Sequence, residues 1–261
     1  MAVEAWSRPW LQTEPELTLP PLYTAVRLRE LGDAFAHAVR VAADSGAGTL
    51  VHVGRFDVAE FALVLEPEEP LANARRALYA GMAALSDAVI GAAEPETMVE
   101  LAWPGALLVN GGVVGGGRLA WPDGIGDDEV PPWLVFGAMI RLQPQSQREP
   151  GDNPNVTNLA EEGFGGALLE ESGGGLLSQR LVESFSRHFM VALDAWQEHG
   201  FAAVAREYLA RLPRAPGQRR DIADNGDLLT RRMASEVDER QSFVAALAAP
   251  SWLDPATGAP R

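Results

Sequence analysis

The stretch at residues 103–118, WPGALLVNGGVVGGGR, constrains the fold more than any other part of the chain. An apolar run, an Asn-Gly pair and a second apolar run ending in three glycines spell two strands joined by a tight turn, because Asn-Gly accepts the positive φ that such a hairpin turn requires. Glycines in a strand have no side chain to pack, so their use is the close approach of another group to the backbone. Strand signals continue on both sides: MVELAW before the hairpin, LAW at its end, and WLVFGAMIRL after the acidic loop PDGIGDDEVPP. Adjacent runs of this kind predict an antiparallel sheet.

Helical periods surround these strands. Asp33 is placed to cap a helix that carries Phe35, Val39, Val41 and Ala42 and stops at SGAG. TLVHV and EFALVLEP then read as an antiparallel strand pair around the short connection GRFDVA. Residues 71–93 keep a helical period through Leu71, Leu78, Met82, Leu85, Val89 and Ile90, which predicts one core-facing helix. A polar loop at 143–158 precedes a long helix at 177–200, with Leu181, Phe185, Phe189, Leu193 and Trp196 on one face and Gly200 as its stop, and a shorter helix at 201–213. Beyond Pro213, RAPGQRR reads as a linker, GDLLTRR as a single strand-like piece, and WLDPATGAPR has no period.

The expected fold class is therefore α+β, a mixed, mainly antiparallel sheet with helices packed on it. Residues 1–22 are expected to form an arm, 23–212 the main domain, and 213–261 a small appendage.

Composition removes several kinds of chemistry. The 261 residues include no cysteine, so disulfides, thiolate metal sites and cysteine nucleophiles are excluded. All 21 basic residues are arginine, and without a lysine a Walker A loop, a Schiff base and a kinase-type phosphate clamp are excluded too. A net charge of −15 opposes a phosphate backbone, so neither nucleic acid nor an anionic membrane is an expected partner. The N-terminus lacks the pattern of a secretory signal and no apolar window has the length of a membrane span, which gives a cytoplasmic expectation.

Other candidates are ordinary structural features. The acidic loop with Asp123, Asp127, Asp128 and Glu129 has no EF-hand spacing and reads as a solvated turn. His37, His52, His188 and His199 lack zinc-motif spacing, and only His52, at a strand end, is placed for a pocket role; no metal site is expected. Trp103 and Trp121 flank the glycine hairpin, where they can stack on a flat ligand or fill the core.

This order of elements, with Trp103-Pro104 opening the hairpin, Gly115-Gly116 in the following strand, TNLAEEG at 157–163, and the helices around WQEHGF and REYLARL, resembles the catalytic domain of the biotin and lipoate protein ligase superfamily. The resemblance runs from about residue 20 to 212. It implies a two-step ligation in which a carboxylic acid attacks ATP, with magnesium, to give an acyl adenylate, and a carrier-domain lysine takes the acyl group. It also implies that 213–261 is a reduced form of the small barrel-like cap of biotin ligases. The ligand-lining positions it implies are Trp103, Pro104, Gly115 and Gly116; Gly117 and Arg118 beside them, Arg55 at the remnant of the family's adenylate loop and Arg141 in place of its asparagine complete the candidate ligand-binding set.

The polar machinery of the family is missing at the matching positions. The residue before Trp-Pro is commonly basic and the two after it are Asn-Asp, but here they are Ala102, Gly105 and Ala106. The lysine before the glycine run falls on Val113, and the asparagine of the Gly-x-Gly-x-Asn strand on Arg141. The Gly-Arg-Gly-Arg loop has only Gly54-Arg55 as a counterpart, and the related octanoyl transferases need a cysteine or lysine that this chain lacks.

The expectation is a ligase-like protein that binds a small carboxylate or acyl compound, or a biotinyl or lipoyl carrier domain, without the usual adenylation residues. No residue is assigned a catalytic role. Its alternatives are an active ATP-dependent biotin or lipoate protein ligase with relocated residues, and an interaction scaffold in which the sheet pairs two copies as a homodimer.

Overall fold

The computed structural model describes residues 16–144, 155–164, 175–232 and 238–261. The expected arm falls mostly outside the described residues; its last part lies on the body, where Leu17 and Leu19 pack on the core and the Thr18 amide donates to Glu183 Oε1 at 2.7 Å. Most of the polar loop at 143–158 lies outside them as well.

Seven strands form the main sheet: β1 (Thr24–Leu28), β2 (Thr49–Val53), β3 (Val58–Leu65), β4 (Val99–Ala102), β5 (Ala106–Val109), β6 (Gly112–Ala120) and β7 (Leu134–Arg141), in the order β1-β2-β3-β7-β6-β5-β4. Only β1 and β2 are parallel, and the crossover between them is helix α1 (Ala34–Ser45). Every other neighbouring pair is antiparallel, as expected from the turn signals. Asn110 at φ 48° and Gly111 at φ 85° make the β5–β6 turn, the backbone for which Asn-Gly is chosen.

Side chains alternate across this sheet and divide the core in two. Phe61 and Leu63 of β3 and Phe136, Ala138 and Ile140 of β7 face a helical layer of α3 (Ala77–Ile90), α4 (Gly175–His199) and α5 (Phe201–Ala210). Phe185 of α4 meets Phe61 at 4.7 Å and stacks on Phe136 at 5.4 Å between ring centroids. The opposite face, with Val51, Val53, Ala62, Val64 and Val135, receives Ala34, Ala38 and Ala42 of α1.

The single helix expected at 71–93 is two: α2 (Leu71–Ala74) and α3. Across Arg75 and Arg76 the hydrogen bonds tighten to the i→i−3 type, with Arg76 N donating to Asn73 O and Tyr79 N to Arg76 O. Both arginines are buried and engaged. Arg75 pairs with Asp127 at 2.6 Å and lies over the Trp121 ring, and Arg76 pairs with Glu69 and lies over Phe201. The apolar period is undisturbed by the break, so periodicity does not reveal it. The acidic loop ends this arrangement: the carbonyls of Asp127 and Glu129 accept the Ala72 and Leu71 amides at the start of α2.

Residues after 213 hold more than one strand. β8 (Gln218–Ile222), β9 (Leu228–Arg232) and β10 (Glu239–Gln241) form a three-stranded antiparallel sheet in the order β10-β9-β8, followed by helix α6 (Phe243–Ala248). Both outer strands are rich in charge and lack alternation, and β9 alone supplies an apolar pair, Leu228 and Leu229. The small sheet packs on the helical layer through Ile222 and Leu228, and α6 through Phe243.

Candidate functional site

The face of the sheet that carries α1 continues beyond it to the glycine strand, and there the alternation of β3, β7 and β6 lines up three rows. Ala62, Gly137 and Arg118 form the first; Glu60, Met139 and Gly116 the second; Val58 and Arg141 the third. Gly137 lets α1 in: a Cβ there would overlap the Phe35 ring. Phe35 in turn lies under the Arg118 guanidinium, 4.0 Å from the ring centroid, a contact worth about 0.5–2 kcal/mol.

The start of α1 brings charge to this face. Asp33 caps the helix, its Oδ1 accepting the Ala36 amide at 2.8 Å, and the same carboxylate stands 3.9 Å from Arg118. Glu60, 3% exposed, accepts the Ala34 amide at 2.7 Å and faces Arg55 at 3.7 Å. Burial pushes the Glu60 carboxyl above its ordinary range, against the pull of the Ala34 amide and of Arg55 and Arg118. Burial lowers the Arg118 pKa, opposed by Asp33 and Glu60. Arg55 is clamped by Asp57, with Nε and Nη2 donating to its two oxygens at 3.0 and 2.8 Å. That pairing raises the arginine and lowers the Asp57 carboxyl.

The three glycines of β6 serve three purposes. Gly115, at φ 152°, sits where β5 and β6 shift register, a backbone state that an L side chain rarely adopts. A Cβ on Gly117 would point into the helical layer, 2.7 Å from Met82 Sδ. Gly116 faces the other way, and what approaches it is the protein's own Trp252: a Cβ there would overlap Gly105 O and lie 2.6 Å from Trp252 Cδ1.

Trp252 is 1% exposed and packs with Val58, Ala106 and Met139. Its indole N–H donates to Gly117 O at 3.1 Å. Burying an indole removes about 200 Å² from water, roughly 5 kcal/mol before entropy, which favours this seat over solvent. Arg141, also buried, donates to the main-chain oxygens of Pro260, at 2.6 Å, and of Arg261.

The residues predicted from sequence thus separate. Gly116, Arg118, Arg55 and Arg141 lie on the α1 face. Trp103 and Pro104, joined by a cis peptide bond, form the β4–β5 turn, and the Trp103 side chain goes to the helical layer, its Nε1 donating to Tyr79 Oη at 2.9 Å. His52 lines a cleft with Arg27, Glu30, Gly54, Arg55 and Ser178. Among the described residues no group of three or more His, Cys, Asp or Glu is arranged to hold a metal ion. Sequence reasoning missed Glu60, Asp57 and Trp252. A lone glutamate inside the apolar run VAEFALVL was the available signal for the first.

Among the described residues, a mainly antiparallel seven-stranded sheet with α1 on one face and α3, α4 and α5 on the other is a biotin protein ligase-like fold. The chain belongs to the Biotin/lipoate A/B protein ligase family, whose model matches residues 19–210.

Among solved structures, a biotin protein ligase-like protein of unknown function from Silicibacter sp. TM1040 is 28% identical, with a TM-score of 0.71 over 88% of this chain and 98% of that one. Biotin protein ligase from Aquifex aeolicus shares the fold at 14% identity and a TM-score of 0.59, over 84% and 95% of the two chains. The same enzyme in complex with biotin and ATP gives 13% identity and a TM-score of 0.60, over 83% and 94%. A comparison with curated proteins finds no match. Among the described residues no helix is long and apolar enough to cross a membrane.

Proposed function

We propose that this protein is a ligase-like binding protein: it takes a small carboxylate or acyl compound, or a biotinyl or lipoyl carrier domain, on the α1 face of its sheet and does not adenylate it. The observation that carries this reading is the commitment of the arginines on that face. Arg55 is clamped by Asp57, and Arg118 lies on Phe35 beside Asp33. An acyl phosphate needs cationic donors aimed at its developing charge, and here three carboxylates, Asp33, Asp57 and Glu60, stand against Arg55 and Arg118. No lysine anywhere in the chain can make up the deficit.

Pyrophosphate exchange with ATP and magnesium in the presence of biotin, lipoate or octanoate tests the reading, with calorimetry on the same acids and on a biotinyl or lipoyl carrier domain. The expected result is binding of an acid or a carrier without exchange. Exchange that depends on one of the acids would replace it with the active-ligase alternative, in which ATP and magnesium are cosubstrates.

A further inference from the structure

We propose that the segment at 250–261 is a displaceable internal occupant of the seat on Gly116, which must leave before the ligand of the preceding reading enters; the inference rests on that reading.

The segment is folded mainly on itself. Leu253 and Pro260 form an antiparallel bridge, the Asp254 amide donates to Ala259 O at 2.9 Å, and the Arg261 amide donates to Trp252 O at 2.8 Å. The Asp254 carboxylate accepts the Ala256 amide at 2.9 Å and the Thr257 hydroxyl at 3.1 Å. A unit that keeps its own hydrogen bonds loses few of them by swinging away. Its root is open: α6 ends at Ala248, and Ala249 and Ser251 are exposed on either side of Pro250.

What holds it to the body is what a small ligand would use. An aromatic ring lies against a glycine backbone, one N–H donates to Gly117 O, and two oxygens take the Arg141 guanidinium. Ordering these residues costs conformational entropy, which offsets much of what burial of one indole contributes. Occupant and ligand therefore compete for the same groups, and the apparent affinity of the whole protein falls with the fraction of open seats.

Hydrogen exchange on the full chain tests displacement without any ligand. The amides of Asp254, Gly258 and Arg261 are expected to exchange at least about 100-fold faster than those of Met139 and Ile140, by local opening. Exchange of the segment only together with the sheet would overturn the proposal, whatever binds.

Calorimetry with octanoate and biotin on the full chain, on Trp252→Ala and on Asp254→Ala tests competition. The second variant loosens the loop and leaves the floor of the seat untouched. Either variant is expected to bind a probe at least about tenfold more tightly than the full chain. Equal binding by all three would overturn the proposal and leave the proposed function standing. Rapid exchange of the segment with no probe bound by any variant would sustain displacement and overturn the ligand reading instead.

Discussion

Glu60 concentrates the electrostatics of the site in one side chain. Buried on β3 and bonded to the Ala34 amide, it holds its proton to higher pH than an unfolded-chain glutamate does. Between the unfolded and folded pKa values the native state binds the extra proton, so stability falls as pH rises through that window. Glu60→Gln keeps an oxygen for the Ala34 amide and removes the charge. Its melting temperature relative to the parent should gain a few degrees, about 2–4 °C, at pH 7, and the gain should shrink towards zero below about pH 4. Thermal unfolding across that range checks this, and a difference that does not change with pH would refute it. At the same scale, Gly115, Gly116 and Gly117 were legible as a place of close backbone approach. The partner was not, because Trp252 lies 135 residues from Gly117 in a segment with no period.

At the scale of elements, the strands and long helices of the main layer were readable wherever apolar alternation or a helical period coincided with turn residues. Asp33 as a cap and Asn110-Gly111 as a turn are local chemistry and appear in the structure as such. Elements that depend on a distant neighbour were not readable. β1 is a five-residue edge strand, and β8 and β10 are charged strands held by register against β9. What fixes the small sheet is Asp227 just before β9. Its carboxylate accepts from the Phe243 amide at 2.8 Å, Arg240 Nε at 2.5 Å and Asn225 Nδ2 at 3.0 Å, which joins β9, β10 and the start of α6. Asp227→Ala leaves a buried amide and an arginine without this acceptor and should cost roughly 2 kcal/mol in urea denaturation. A loss under about 0.5 kcal/mol would show that the three elements hold without it.

For the whole molecule, the question is whether residues 213–261 are an appendage with a stability of their own. Tyr79 of α3 answers through its neighbours: its hydroxyl donates to Gly226 O at 2.5 Å, its ring stacks on Phe243 at 4.8 Å, and it meets Tyr208 of α5 edge-on at 4.6 Å. Trp103 donates to the same hydroxyl, and Tyr208 donates to Pro104 O at 2.9 Å, so the β4–β5 turn, the helical layer and the small sheet share one aromatic cluster. A three-stranded sheet with one short helix has too little apolar surface to fold alone, since below about 40–60 residues a chain buries too small a fraction of its area. The expectation is a single calorimetric transition for the full chain, with calorimetric and van't Hoff enthalpies equal. Tyr79→Ala should lower that one transition without splitting it, because the cluster it opens belongs to both parts. A separate low-temperature transition in the parent would mean that the small sheet melts by itself. The segment at 250–261, rooted in it, would then be released from the glycine seat by melting of its base rather than by a swing at residues 249–251.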